Sequence, residues 1–401
     1  MYGIPLTLLL LRLALAGQVA AFPSTRLLDV WNSYAPKVGL YDPQHSNRPL
    51  HPLTSITDQN ARPQSGAESR SGRKQKRAQT WVVVDVYQGE GFFDDFEFFD
   101  QSDPTHGQVN YLNKTLAMSR GLASVTADNK AVMQVDNHTD LPLGQYRDSV
   151  RITSSKSYTG GLFLLDVEHA PWGCGVWPAL WTVGANWPVG GEIDIYEGVN
   201  LGTHNQVTFH TEPNCTYTRG VNQTGTIIGT DCDAFVNSNS GCGITDPSQT
   251  SYGAALNGLG GGVFAMKWDD DGIASWFFHR SSIPPDITNG DPQPSGWGYP
   301  TAQLAPDGCN PWVYFAAHSI VFDITLCGDW AGSAYGGSGC PGSCETQVMK
   351  GANFVNASWV VNSLIVFRES NFAASAAEGR GAPIWTLAAC IALVAGIMLQ
   401  S

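Results

Sequence analysis

The spacing of apolar residues between positions 80 and 370 constrains this chain most. They come in runs of strand length, alternating or wholly apolar, and almost never at the three- and four-residue spacing of an amphipathic helix. "TWVVVDVY", "AVMQV", "SVRITS", "GGLFLLDVEH", "QVTFHT", "GVFAMKW", "ASWFFHR", "WVYFAAHSIVFDI" and "SLIVFRE" follow one another, separated by clusters of Gly, Asn, Asp and Pro. "KWDDDGIASWFFHR" (267–280) reads as a hairpin turning at Asp271-Gly272, its aspartates solvating the turn rather than holding calcium. Many short strands without intervening helices make a sandwich or barrel. No internal repeat is visible. The expected fold is all-β, a single sandwich of about 290 residues with long decorated loops.

The two ends have a different character. Residues 1–21 carry a short leucine-rich core followed by small residues, which predicts a secretory signal peptide. Arg12 splits that apolar run and leaves it too short to span a membrane comfortably. Residues 22–77 are rich in Pro, Ser, Asn and Arg and end at Lys76-Arg77. They read as a disordered pro-segment cut at the dibasic pair, or as a linker that stays attached. Residues 371–401 combine small residues, a polar spacer and an apolar tail, the pattern of a GPI-attachment signal, with Asn371, Ala374 and Ser375 as candidate attachment residues. The folded domain is therefore expected over 78–370, outside the cell and at its surface.

Cysteine usage agrees. Eight of the nine cysteines lie between Cys174 and Cys344, an even number that reads as up to four disulfides of undetermined pairing; Cys390 sits in the tail. Sequons at Asn113, Asn137, Asn214, Asn222 and Asn356 suit a secreted surface. Residues 78–377 carry 11 basic and 30 acidic side chains, a net of 11 − 30 = −19, whereas 22–77 carry 9 and 4, a net of +5. An acidic domain repels phosphate backbones and anionic membranes, which argues against nucleic acid and leaves a neutral polymer open. A monomer touching the membrane only through its lipid anchor is expected, and no motif calls for a cofactor or metal.

One stretch concentrates chemistry. "GGEIDIYEG" (190–198) places Glu192, Asp194 and Glu197 within six residues. On a regular strand Glu192 and Asp194 share a face and Glu197 points to the other. A β-bulge at Ile195-Tyr196 sets two residues opposite one and returns Glu197 to the first face. The two glutamate Cα atoms then stand roughly 13 Å apart at ~3.3 Å per residue. Side chains leaning together leave a gap of about 5 Å, the separation of a retaining glycosidase pair. With Asp194 between them, like-charge crowding keeps at least one acid protonated near neutral pH, and the three titrate together.

The bulged E-x-D-x-x-E form resembles glycoside hydrolase family 16, the laminarinase-like endo-β-glucanases. "DPTHGQVNY" (103–111), "SVRI" (149–152), "GCGVWPALW" (173–181), "QVTFHT" (206–211), "SGCG" (240–243), "CGDWAG" (327–332) and "GCPGSC" (339–344) extend the resemblance over about 85–370. It implies a concanavalin A-like β-jelly roll with a glucan cleft along its concave sheet. It also implies Glu192 as nucleophile, Glu197 as general acid/base and Asp194 as the group positioning Glu192. Trp177, Trp181 and Trp187 are candidate sugar-stacking residues, with core packing as their alternative use. The resemblance further places His210, Arg151 and Asn110 at the cleft; the plainer readings are a core histidine, a structural ion pair and a turn. Two departures stand out: a Trp181–Trp187 loop one residue short, and Asp148 where the family pattern has a neutral amide.

The implied activity is hydrolysis of β-1,3- or mixed β-1,3/1,4-glucan with retention. A cell-wall glucan transglycosylase and a non-catalytic β-glucan-binding module are the alternatives. Wall-remodelling relatives carry the unbulged E-x-D-x-E form, and an inactivated relative would be expected to lose one of the acids.

Overall fold

The computed structural model describes residues 80–370. The signal-like segment, the basic segment and the apolar tail with Cys390 lie outside the described residues.

Two eight-stranded antiparallel sheets form the domain. The back sheet runs β16 (Ala302–Leu304), β15 (Gly272–His279), β14 (Gly262–Asp269), β8 (Gly161–His169), β18 (Ser358–Glu369), β5 (Ala131–Gln134) and β4 (Ala123–Val125), with β1 (Trp81–Tyr87) also paired to β18. The cleft sheet runs β12 (Thr226–Ile227), β13 (Cys242–Thr245), β11 (Gln206–His210), β10 (Glu192–Glu197), β9 (Val176–Val183), β17 (His318–Leu326), β7 (Arg151–Tyr158) and β2 (Phe96–Phe98). A short parallel pair, β3 (Val109–Tyr111) with β6 (Arg147–Ser149), lies apart from both. This is the sandwich expected of the strand-length runs, in the jelly-roll form that the family resemblance implies.

Alternation explains which runs are wholly apolar. On β8, Phe163, Leu165 and Val167 enter the main core, while Leu162 and Leu164 join a second cluster with Ala265, Ala274 and Trp276. Both faces of the back sheet are thus covered, so β8 needs no polar face. In the cleft sheet, Leu180 of β9 packs in the main core and its neighbours Ala179 and Trp181 point away from it. That outward face is the floor of the cleft.

Two expected elements shift. The β14–β15 turn is Asp270-Asp271, one residue earlier than read, because Asp269 pairs with Gly272. The Asp269 carboxylate accepts the Asp271 N–H at 3.0 Å, a local bond that closes the turn. Gly272 is needed for strand packing instead, since a Cβ there would stand 2.1 Å from the Leu304 carbonyl oxygen. The run "WVYFAAHSIVFDI" is not one strand: Pro311–Tyr314 is a helical turn, and β17 starts at His318. Asn310 caps that turn, accepting from the Trp312 N–H at 3.0 Å, with Pro311 at its first position.

The eight described cysteines pair as Cys174–Cys340, Cys215–Cys309, Cys232–Cys242 and Cys327–Cys344. The first ties the 327–344 loop, which carries Asp329 and Trp330, to the residues just before β9, and the last closes that loop on itself.

Candidate active site

Strand β10 lies between β9 and β11 in the cleft sheet. Its register on β9 runs Asp194 opposite Trp181, then Tyr196 opposite Leu180, then Glu197 opposite Ala179, so one extra residue is accommodated between Asp194 and Tyr196. Ile195 and Tyr196 both turn into the main core. Glu192, Asp194 and Glu197 all line the same cleft of about 530 Å³. The parity break in the sequence is a bulge, and it aims the third acid at the other two.

Each glutamate is held by an indole. Trp177 Nε1–H donates to Glu197 Oε1 at 2.8 Å, and Trp187 Nε1–H donates to Glu192 Oε2. Trp187 is presented by the 184–191 loop, whose ends meet so closely that a Cβ on Gly184 would lie 2.3 Å from the Gly190 carbonyl oxygen. Buried His318 pins that loop. Its Nε2 donates to Gly190 O at 2.8 Å, which leaves Nδ1 to accept from the Thr182 hydroxyl at 2.8 Å. Burial pushes its pKa down to about 4, so the ring stays neutral and keeps this tautomer.

His210 is in the opposite condition. Its Nδ1 lies 2.9 Å from Asn239 Oδ1 and its Nε2 3.4 Å from Asp194 Oδ2, so both neighbours are acceptors and both ring nitrogens carry protons. Burial alone would lower its pKa, but the bond to Asp194 and the charges of all three acids raise it to about 9. Glu192, Asp194 and His210 bring potential ligand atoms within 4.8 Å of one another. Within this group His210 and Asp194 stand at ion-pair distance.

Burial raises both glutamates above the ordinary carboxylate range, and the nearby Asp194 charge adds to it. Opposing this, Glu192 is favoured as an anion by His210, Trp187 and Arg151, whereas Glu197 has Trp177 and His210 on that side and the Glu192 charge against it. Glu192 is therefore the member better fitted to ionise, and Glu197 the one better fitted to keep its proton.

A platform flanks the acids. The Arg151 guanidinium lies 4.8 Å from the Phe99 ring centre and 5.0 Å from that of Trp181. Asp323 Oδ2 accepts from Trp181 Nε1 at 3.2 Å and lies 3.9 Å from Arg151 Nη1. Burial raises the Asp323 pKa to about 7, although the arginine works against it. Trp177, Trp181, Trp187 and Arg151 all line the cleft, while His210 is 7% exposed and bears on Asp194 beneath it. Asn110 is not among the lining residues. It sits exposed on β3, donating to Asp148 Oδ1 at 2.7 Å, and Asp148 also pairs with Arg120. The acid at 148 thus has a local cation to answer it.

Sequence reasoning missed several lining residues: Thr105, His106, Phe235, Asn239, Asp323, Thr325 and Asp329. One signal was available. Asp323 is an acid inside the otherwise apolar run "IVFDI", where an ionisable group needs a reason to be buried. Phe235 and Asn239 come from a loop without periodicity and left no such mark.

Residues 96–367 match the family model described as the XgeA-like, catalytic GH16 domain. A Schizosaccharomyces pombe protein named as a probable glycosidase is 46% identical over 298 residues, covering 73% of this chain and 70% of that protein. Endo-1,3(4)-beta-glucanase xgeA of Emericella nidulans is 38% identical over 302 residues, covering 73% of this chain and 48% of that protein, so the chain spans about half its length. Among solved structures, laminarinase 16A from Phanerochaete chrysosporium, with beta-glucans in both donor and acceptor sites, matches with a TM-score of 0.69 at 39% identity, covering 72% of this chain and all of that one. An elongating family 16 beta-1,3-glucosyltransferase matches with a TM-score of 0.68 at 38% identity over the same 72% of this chain and all of its own. The chain belongs to glycoside hydrolase family 16, in its XgeA-like catalytic branch.

Proposed function

We infer that this chain is a secreted endo-β-glucanase that cleaves β-1,3- and mixed β-1,3/1,4-glucans with retention of anomeric configuration. The observation that carries the reading is the face shared by Glu192, Asp194 and Glu197, with each glutamate fixed by an indole N–H. In the first step the Glu192 carboxylate attacks the anomeric carbon as Glu197 gives its proton to the departing glycosidic oxygen. The resulting glycosyl ester is hydrolysed when Glu197, now a carboxylate, takes a proton from the incoming water. Asp194, tied to cationic His210, holds negative charge beside Glu192 and orients it. Trp177, Trp181 and Trp187 offer apolar faces for pyranose rings, and Arg151 offers donors for sugar hydroxyls.

A sugar hydroxyl in place of water would elongate the glucan. The structural match to an elongating glucosyltransferase favours keeping this second outcome in view. We also propose action outside the cell as a lipid-anchored monomer. The signal-like start, the apolar tail and the four disulfides support that placement.

Incubation with laminarin, lichenan and a β-1,6-branched glucan, followed by product sizing, tests the activity. Shorter sugars are expected; longer ones would assign transfer, and bound but unchanged polymer would overturn the catalytic reading. Glu192→Ala is expected to lower hydrolysis at least ~10⁴-fold, as loss of a nucleophile does.

A further inference from the structure

We propose that Asn205 is a positioning residue for the reaction, a side-chain clamp that holds the bulge open and so sets the aim of Glu197. The proposal rests on the glucanase reading above and adds a residue that reading does not use.

The pairing of β10 with β11 runs Glu192 opposite His210, Ile193 opposite Phe209 and Asp194 opposite Thr208, and stops there. Continued one for one, the same register would bring Glu197 opposite Asn205. The extra residue at Ile195 breaks the ladder, so the Ile195 carbonyl and the Glu197 N–H lose their strand partners on the β11 side. Unpaired backbone groups at such a depth are costly. The Asn205 side chain replaces the missing ladder. Its Nδ2 donates to Ile195 O at 2.9 Å and its Oδ1 accepts the Glu197 N–H at 2.9 Å.

Asn205 is itself rigidly held. It is 2% exposed, its N–H donates to Ser251 Oγ at 2.8 Å, and its carbonyl accepts from Asp246 N at 2.9 Å. The Ser251 hydroxyl in turn donates to Ser248 O at 2.7 Å. One planar amide therefore spans both sides of the bulge and is anchored from the loop behind it. Its geometry suits a primary amide alone among the common side chains, because one end must donate and the other accept. The clamp grips the backbone of Glu197 and touches neither Glu192 nor the cleft-facing indoles, so its effect falls on the proton donor.

A leaving-group comparison reads that selectivity. Expulsion of dinitrophenolate needs no proton, whereas expulsion of a sugar does. In the full chain, Asn205→Ala is expected to lower kcat/KM about 10- to 100-fold on laminarin and less than ~3-fold on a dinitrophenyl β-laminaribioside. Asn205→Asp, which keeps the shape and the acceptor but loses the amide donor, is expected to show the same bias and serves if the alanine variant does not fold. Equal losses on both substrates in the folded variants, or no loss on either, would overturn the role of Asn205. A wild-type chain inactive on both glucan and aryl substrate would instead overturn the glucanase reading and the clamp's role with it.

Discussion

Replacing Trp177 by Phe tests how Glu197, the proposed acid/base group, is tuned. The indole N–H donates to Glu197 Oε1 at 2.8 Å, and a phenyl ring cannot. The ring itself packs edge-on against Trp330 with centroids 5.8 Å apart, a contact that Phe can keep. A hydrogen bond to a carboxylate is worth about 1.5–3 kcal/mol, and it favours the ionised form. One pKa unit corresponds to about 1.36 kcal/mol, so the lost bond raises the Glu197 pKa by roughly 1–2 units. The sign follows directly. In the proposed mechanism Glu197 must be protonated to cleave, so a higher pKa keeps it competent to higher pH. The alkaline limb of the kcat/KM profile should move up by roughly 1–2 pH units, while the acid limb, which that mechanism assigns to Glu192, stays in place. The assay is the pH dependence of laminarin hydrolysis by wild type and Trp177→Phe. An alkaline limb that does not move, or moves down, would refute the argument that Glu197 is the proton donor held by this indole.

The raised Glu197 pKa also has a stability consequence. The folded state holds this proton above the pH at which the unfolded chain releases it, so the glutamate's contribution to stability falls as pH rises through that window. Glu197→Gln does not titrate. It should be inactive on glucan yet gain on wild type by up to about 1.4 kcal/mol per pH unit above ~4.3, measured as urea midpoints at a series of pH values. Opening the bridge between Cys174 and Cys340, whose positions are 166 residues apart, with a serine pair should cost about 2–5 kcal/mol in the same urea assay.

What could be read from the sequence was whatever the period of a strand encodes. The two-residue alternation of β10, and its interruption at Ile195-Tyr196, is enough to place three acids on one face. The bulge is a local parity error, so local pattern reveals it. Asn205 was not legible in the same way: it follows a histidine in a loop, and its value appears only once β11 is laid beside β10. Asn110 shows the converse. Its place in a matching motif suggested the cleft, but the parallel pairing of β3 with β6 ties it to Asp148. The Trp312 segment failed for a nearer reason, because a capping Asn and a Pro overrode the strand propensity of the aromatic run.

A strand that alternates strictly gives one inward side chain for each outward one. The bulge in β10 gives two, Ile195 and Tyr196, beneath the span that separates Asp194 from Glu197. The Tyr196 ring stacks on Tyr252 at 5.4 Å and meets Phe264 and Trp359 edge-on, both at 5.1 Å, and these last two belong to the opposite sheet. The spacing of the two proposed reacting groups thus rests partly on β14 and β18, strands that contribute no residue to the cleft. A volume change at Phe264 or Trp359 acts as a lever on the distance between attack and protonation. Enzymes of this build are therefore open to retuning from the far side of the core, with every residue of the cleft left as it stands.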